Sequence, residues 1–223
     1  MIEFLSRNYF LIVYGIAWVF SVRYYGKYFD TVLRFFPIII AYTFFSELLG
    51  YLIGTSDDFA FFAKFKSAND LIYNIYTLIF FPFFYFVYWK LVKNENYRSW
   101  IKILSVLALA FYLVNAFIYN PLVKVLFYAL CFASFVLALC VVFYWLDKRS
   151  HWQWRTEKYN LMTWVSIGLF GFYSIFPIIF LLNFLNKDLY QILHLGTVHK
   201  IFIVLMYVLF SIGFVLSSRR NFH

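Results

Sequence analysis

Residues 161–185 read LMTWVSIGLFGFYSIFPIIFLLNFL, and residues 201–216 read IFIVLMYVLFSIGFVL. Neither run contains a charged residue; a polar break at 186–188 (NKD) separates them, and two arginines at 219–220 follow the second. A helix of about 20 apolar residues, rising 1.5 Å per residue, crosses the roughly 30 Å hydrocarbon core of a bilayer. The two runs therefore predict two membrane helices joined by a short turn.

The composition of the whole chain agrees with this interpretation. Its 223 residues are 65% hydrophobic, 26% aromatic and 13% charged. A soluble domain has about 25% charged residues and far fewer phenylalanines. One water-soluble core of this size cannot hide so much apolar surface, so we expect lipid to be the solvent.

The same pattern continues along the chain and predicts an all-α bundle of seven transmembrane helices in a single integral membrane domain, residues 1–223. Connections are short and contain proline, asparagine or charge, as antiparallel neighbours in a bundle require. The expected helices are roughly 8–25, 35–54, 69–89, 100–119, 122–146, 160–184 and 190–217.

Lysine and arginine are distributed unevenly between the two sides of such a bundle. Six lie on the side of the N-terminus: Arg7, Lys64, Lys66, Lys124, Lys187 and Lys200. Thirteen lie on the other: Arg23, Lys27, Arg34, Lys90, Lys93, Arg98, Lys102, Lys148, Arg149, Arg155, Lys158, Arg219 and Arg220. Because the positive side stays in the cytoplasm, we expect the N-terminus outside and the C-terminus inside. The net charge of +9 thus marks orientation, and nucleic-acid binding is the weaker explanation.

Polar residues within membrane helices are the best pointers to function, because their burial costs free energy that an interaction must offset. Glu47 is the most informative, since it lies in the outer half of the second predicted helix between Phe45 and Leu48. It either lines a ligand or proton site, or it is a hydrogen-bonding residue of helix packing.

Further polar residues lie towards the same outer side. If they turn inward, they line an outward-facing vestibule together with Glu47; the alternative is that they are polar because headgroups and water surround helix ends. We also expect Glu47 to form an ion pair with Lys200, because an unpaired buried charge is costly. The candidate ligand-binding residues are Glu47, Asn74, Asn115, His194, His199 and Lys200.

Helix six contains small residues followed by an internal proline. Gly168, Gly171 and Pro177 are candidates for a hinge, and the alternative is close packing with a static kink.

Several chemistries are disfavoured by the sequence. His194 and His199 are five residues apart, about 140° round a helix, whereas metal ligands sharing a face are three or four apart. Lys200 lies too near the outer surface for a retinal Schiff base. The chain has no phosphate-binding glycine loop, no G-x-S-x-G and no H-E-x-x-H. We therefore expect no catalytic residue, no metal and no cofactor.

Three sequence segments also resemble a known group. Residues 163–170 (TWVSIGLF), 206–214 (MYVLFSIGF) and 74–76 (NIY) resemble a pattern in seven-helix membrane proteins of Bacteroidetes-type bacteria. The resemblance spans nearly the whole chain and implies a multi-pass protein of the bacterial inner (plasma) membrane, near sensor-kinase signalling. It transfers no catalytic residue.

The leading functional hypothesis is a receptor-like or signalling-associated membrane protein. It would bind a small or lipidic ligand between its helices and pass a movement of helix six or seven to a cytoplasmic or membrane partner. Residues 148–158 are a candidate docking surface, although topology and contact with anionic lipid also explain their charge. The alternatives are a small transporter or channel subunit that uses Glu47 as a proton or cation site, and an intramembrane metal hydrolase. We expect the chain to contact membrane lipid. A homo-oligomer, in which the partner is a second copy of the chain, is a further alternative.

Overall fold

The computed structural model describes residues 9–55, 68–122, 124–149 and 154–219, and the regular structure in these ranges is helical. Shorter helical segments occur at Tyr25–Lys27, Val32–Phe35, Trp154–Glu157 and Lys187–Ile192. The seven long helices within the described ranges are α1 Tyr9–Arg23, α2 Phe36–Thr55, α3 Ala68–Leu91, α4 Glu95–Ile118, α5 Phe127–Lys148, α6 Leu161–Leu185 and α7 Leu195–Leu216.

Six of these helices, α2 to α7, are long and apolar enough to cross a bilayer. This confirms the prediction of an all-α, multi-pass membrane bundle. The described part of α1 is apolar but has only 15 residues, about 22 Å at the rise of an α-helix. A seventh crossing by α1 therefore remains a prediction.

Two helix starts differ from expectation, each because of the residue that precedes the helix. α4 begins at Glu95, where we expected residue 100, because the Asn94 side chain accepts hydrogen bonds from the backbone N–H groups of Asn96 and Tyr97. α7 begins at Leu195, where we expected residue 190. His194, with φ 48° in the left-handed region, separates it from the short preceding helix.

The start of α5 is set by a residue on another helix. α5 begins at Phe127 rather than at residue 122, because Asn74 of α3 holds the preceding loop in a non-helical form. The Asn74 side-chain amide donates to the carbonyl oxygens of Pro121 (2.7 Å) and Lys124 (2.8 Å) and accepts from the backbone N–H of Leu126 (3.1 Å). These three bonds satisfy backbone groups of the loop. If α5 began earlier, the same groups would form hydrogen bonds within the helix instead.

Six helices pack into a ring, and one lies outside it. Around the ring, α1 contacts α2, α2 contacts α3, α3 contacts α5, α5 contacts α6, α6 contacts α7, and α7 returns to α1. α4 packs against the outside of α3 and α5. Its outer face exposes large apolar side chains, including Phe117 at 92% exposure, which lipid rather than water would cover. Other exposed apolar residues on α4 include Ile103, Val106, Leu107, Leu113 and Val114.

We name the two ends of the bundle by their loops. The basic end carries residues 24–35, 92–94, 154–160 and 217–219, and the distal end carries residues 119–122 and 186–194. Long-range bonds connect the loops of the basic end.

The first loop is attached to the end of α7. The Lys27 ammonium donates to the carbonyl oxygens of Phe214 (3.1 Å) and Val215 (2.8 Å), in the last turn of that helix. Arg219 forms an ion pair with Asp30 at 2.7 Å. A cation at a helix C-terminus satisfies free carbonyls and complements the helix dipole, so α7 and this loop are held together.

Candidate functional site

A cavity of about 70 Å³ lies inside the ring, and each ring helix contributes at least one side chain to it. Most of the lining is aromatic or aliphatic, and it includes one carboxylate and one imidazole. We call this space the inner cavity. Its lining residues are Tyr14 (α1), Thr43 and Glu47 (α2), Tyr73, Tyr76, Thr77 and Phe81 (α3), Leu130 (α5), Phe172, Tyr173 and Phe176 (α6), and His199, Ile203, Met206 and Tyr207 (α7).

Helical spacing explains how these residues reach one space. Thr43 and Glu47 are four residues apart on α2, and Tyr73, Tyr76 and Thr77 are three or four apart on α3. Residues at such intervals share one face of a helix, so α2 and α3 each present a polar stripe to the interior of the ring.

Glu47 stands where the inner cavity meets a second space. A cleft of about 220 Å³ lies between α2 and α3 and is lined by Glu47, Thr43, Ser46, Ile72, Tyr73 and Tyr76. Four residues, Thr43, Glu47, Tyr73 and Tyr76, line both spaces. The carboxylate is therefore positioned to meet a molecule in either space.

Five tyrosines make the inner cavity polar at a depth where lipid surrounds the bundle. Glu47 interacts electrostatically with Tyr14, Tyr73 and Tyr207. The ring of Tyr14 meets that of Tyr207 edge to face, with centroids 4.4 Å apart. The Thr43 hydroxyl lines the same space and donates to the carbonyl oxygen of Ile39 at 2.9 Å. The walls thus offer several hydroxyl oxygens around one carboxylate.

Sequence reasoning missed these tyrosines, because we interpreted tyrosine mainly as an interfacial residue. A usable signal was present in two of them. Tyr173 and Tyr207 lie near the middle of α6 and α7, far from either interface, where a hydroxyl needs a polar neighbour.

His199 was predicted as a site residue and does line the inner cavity. Its ring centroid lies 5.4 Å from those of Phe172 and Phe176 and 6.0 Å from that of Phe180. Its Nδ1 is buried and forms no hydrogen bond with any described residue. A buried nitrogen of this kind is an acceptor or donor available to a bound molecule.

Asn74 and Asn115 do not join Glu47 in the vestibule that we expected. Asn74 is buried, and its side chain is fully used in holding the loop before α5. The side-chain amide of Asn115, which is also buried, donates to the carbonyl oxygen of Phe111 on its own helix at 2.9 Å. Asn74 is thus a packing residue of the distal end.

His194 and Lys200 are exposed, and the ion pair that we expected between Glu47 and Lys200 is not formed. The Lys200 ammonium instead lies 5.8 Å from the ring centroid of Phe10. Lys200 follows His199 directly on α7, but only His199 of the two lines the inner cavity. Of the predicted site residues, Glu47 and His199 line the inner cavity, together with five tyrosines that were not predicted.

The predicted hinge residues lie in α6 beside the inner cavity. A Cβ on Gly168 would come within 3.1 Å of the carbonyl oxygen of Met206 and of the Phe210 ring, so α6 and α7 approach closely there. A Cβ on Gly171 would meet no atom within 4 Å. Pro177 is inside the helix. The hinge remains a prediction.

A third space, of about 330 Å³, lies at the basic end, and its lining includes the charged side chains of Asp30, Lys93 and Lys148. Lys148 forms an ion pair with Glu157 at 2.8 Å, and Thr163 also donates to Glu157. Residues 150–153 of the candidate docking surface lie outside the described residues.

In the part of the chain that the structure describes, no three His, Cys, Asp or Glu side chains are grouped so that they could hold a metal ion. Cys131 and Cys140 are both free thiols. No protein-family model, curated protein or solved structure matches the chain.

Proposed function

We propose that this is a receptor-like, signalling-associated protein of the inner (plasma) membrane that binds a small ligand in the inner cavity at Glu47. One observation carries the proposal: six helices converge on a cavity that is lined by a glutamate, a histidine and five tyrosines. Ligand sites in bundles have this form, with mostly apolar walls and a few convergent polar groups. The volume favours a small ligand over a lipidic one.

The orientation in the membrane belongs to the same proposal. Thirteen basic residues against six favour a cytoplasmic basic end, with the N-terminus outside. α1 would then be the seventh crossing, and the cleft beside Glu47 would admit ligand from the outer side.

The path to a partner runs through α6 and α7. Both helices line the inner cavity, and α7 ends at carbonyl groups that Lys27 holds. If α7 can take two positions, a ligand that binds the protein more tightly in one of them shifts the equilibrium towards it. The end of α7 at the basic end would then move as well. A cytoplasmic or membrane partner, or a second copy of the chain, would bind differently to the basic end after this shift.

The test is ligand-dependent thermal stabilisation of the purified full-length chain in detergent, screened with a fragment library. We expect some fragments to raise Tm in proportion to the logarithm of their concentration above Kd. Thr43→Leu places a larger side chain in both the cavity and the cleft and should abolish the response. Ser105→Leu is the matched control, because Ser105 likewise bonds the carbonyl four residues earlier but lies on α4, outside the ring. The proposal fails if no fragment raises the Tm of wild type more than it raises the Tm of Thr43→Leu.

A small transporter or channel subunit is the second candidate, favoured by the meeting of cleft and cavity at one carboxylate. It predicts flux of the stabilising fragment into liposomes that Glu47→Gln removes, whereas a receptor predicts no flux.

A further inference from the structure

The two spaces at Glu47 share a simple charge pattern. Their described lining residues include no lysine or arginine, and Glu47 is the carboxylate among them. An imidazole, His199 of α7, also lines the inner cavity, whereas the adjacent Lys200 is exposed and its ammonium lies 5.8 Å from the ring centroid of Phe10. A carboxylate in a membrane interior must be neutralised by a proton, an ion pair or a bound cation.

The walls around this carboxylate have the chemistry that recognises organic cations. Aromatic faces attract a cation through the quadrupole of the ring, and a desolvated site strengthens that attraction. Tyrosines from four helices surround the space, and Phe81, Phe172 and Phe176 add apolar rings. Quaternary and protonated amines bind in aromatic cages of this kind.

Metal cations fit the site less well. Calcium and magnesium take six or more oxygen ligands, usually with several carboxylates. The described residues offer one carboxylate here and no group of three metal-binding side chains. The cavity of about 70 Å³ and the adjoining cleft suit a compact ammonium group with a short substituent.

We propose that the ligand of the inner cavity is a small organic cation, a protonated amine or quaternary ammonium, whose charged nitrogen lies against the Glu47 carboxylate between the tyrosine rings. This inference rests on the proposed function and specifies its ligand class.

The experiment measures Tm of the purified full-length chain with methylammonium chloride, tetramethylammonium chloride, sodium chloride, sodium acetate and tert-butanol. All ionic probes are compared at equal ionic strength. We expect at least one of the two organic cations to raise Tm by about 3 °C or more near saturation. Sodium, acetate and the neutral alcohol should leave it unchanged.

Glu47→Gln should lose the response to organic cations, because it keeps the shape of the side chain and removes its charge. Glu95→Gln is the matched control, because Glu95 is an exposed carboxylate in the first turn of α4, and it should respond as wild type does. The selectivity of the wild-type chain among the five probes is a second readout that needs no variant to fold.

Three results overturn the inference: no shift with either organic cation, an equal shift with sodium or with the neutral alcohol, or an equal shift in Glu47→Gln. If neutral or anionic fragments stabilise wild type but not Thr43→Leu, the proposed function stands and only the ligand class is wrong. If no molecule of any charge raises the Tm of wild type more than that of Thr43→Leu, both proposals fail.

Discussion

At the scale of single residues, hydrogen bonding distinguishes two polar side chains that the sequence presents alike. Glu47 and Asn74 both lie within apolar helices, yet Glu47 lines open space and Asn74 is bonded to three backbone groups. A polar group in lipid needs partners, and the partners decide its role. Asn74 stabilises the distal end, while Glu47 remains available to a ligand.

Asn74→Ala should therefore destabilise the protein strongly. It leaves the carbonyls of Pro121 and Lys124 and the N–H of Leu126 without their bonds, at about 1–3 kcal/mol for each buried group left unsatisfied. Denaturation of the detergent-solubilised chain measures the loss. Asn183→Ala, at an exposed position of α6, is the control and should change stability by less than about 0.5 kcal/mol. Equal stability of the two variants would contradict this role for Asn74.

Two tyrosines allow a second comparison at the residue scale. The Tyr85 hydroxyl donates to the carbonyl of Ala133 at 2.8 Å, whereas Tyr207 lines the inner cavity. Tyr85→Phe should lower stability by about 1 kcal/mol. Tyr207→Phe should cost less stability but weaken the response to the organic cations. Thermal denaturation with and without tetramethylammonium separates the two effects, and the reverse ranking would exclude Tyr207 from the site.

At the scale of elements, α6 and α7 form the most extensive helix–helix contact among the described residues. Gly168 of α6 faces Met206, and Gly213 of α7 faces Leu161 and Trp164, so each helix supplies one glycine to the contact. Small residues at an interface let two membrane helices approach until their backbones nearly touch. The two contacts lie on the basic-end side of the inner cavity, where they fix how the helices leave it.

Gly168→Ala should separate α6 from α7 and reduce stability by about 1–3 kcal/mol, since the new Cβ would lie 3.1 Å from a backbone oxygen. Gly171→Ala is the matched control, because its Cβ meets nothing within 4 Å and alanine favours the helix by about 1 kcal/mol. Denaturation curves measure both. If Gly171→Ala also abolishes a ligand response without loss of stability, the predicted hinge is supported; an unchanged response contradicts it.

At the scale of the whole molecule, the basic loops and the inner cavity lie towards opposite ends of one bundle. The loops at the basic end are joined by Lys27, by the Arg219–Asp30 pair and by a bond from the backbone N–H of Ser218 to the carbonyl of Tyr159. A basic end joined to the ring helices by these bonds would transmit a change at the cavity to its own surface.

Orientation is testable with single introduced cysteines. Gln191→Cys, exposed at the distal end, should react with a membrane-impermeant maleimide in intact cells. Ser99→Cys, exposed in the first turns of α4, should react only after the cells are permeabilised. The wild-type chain gives the background from Cys131 and Cys140. The opposite labelling pattern would turn the cavity towards the cytoplasm and remove the basis for an external ligand.

The sequence by itself determined that this chain is a membrane protein and roughly where its helices lie. It also determined how basic residues are distributed between the two ends of the bundle. These are local properties: a long apolar run or a loop arginine keeps its meaning in any arrangement of helices. Helix starts were predicted less well, because Asn74 sets the start of α5 from another helix. Only the tertiary structure decided which polar groups meet. In lipid, the outer face of a helix is as apolar as its packed face, so no periodicity identifies the inward side. Glu47, His199 and five tyrosines therefore come together through helix packing alone.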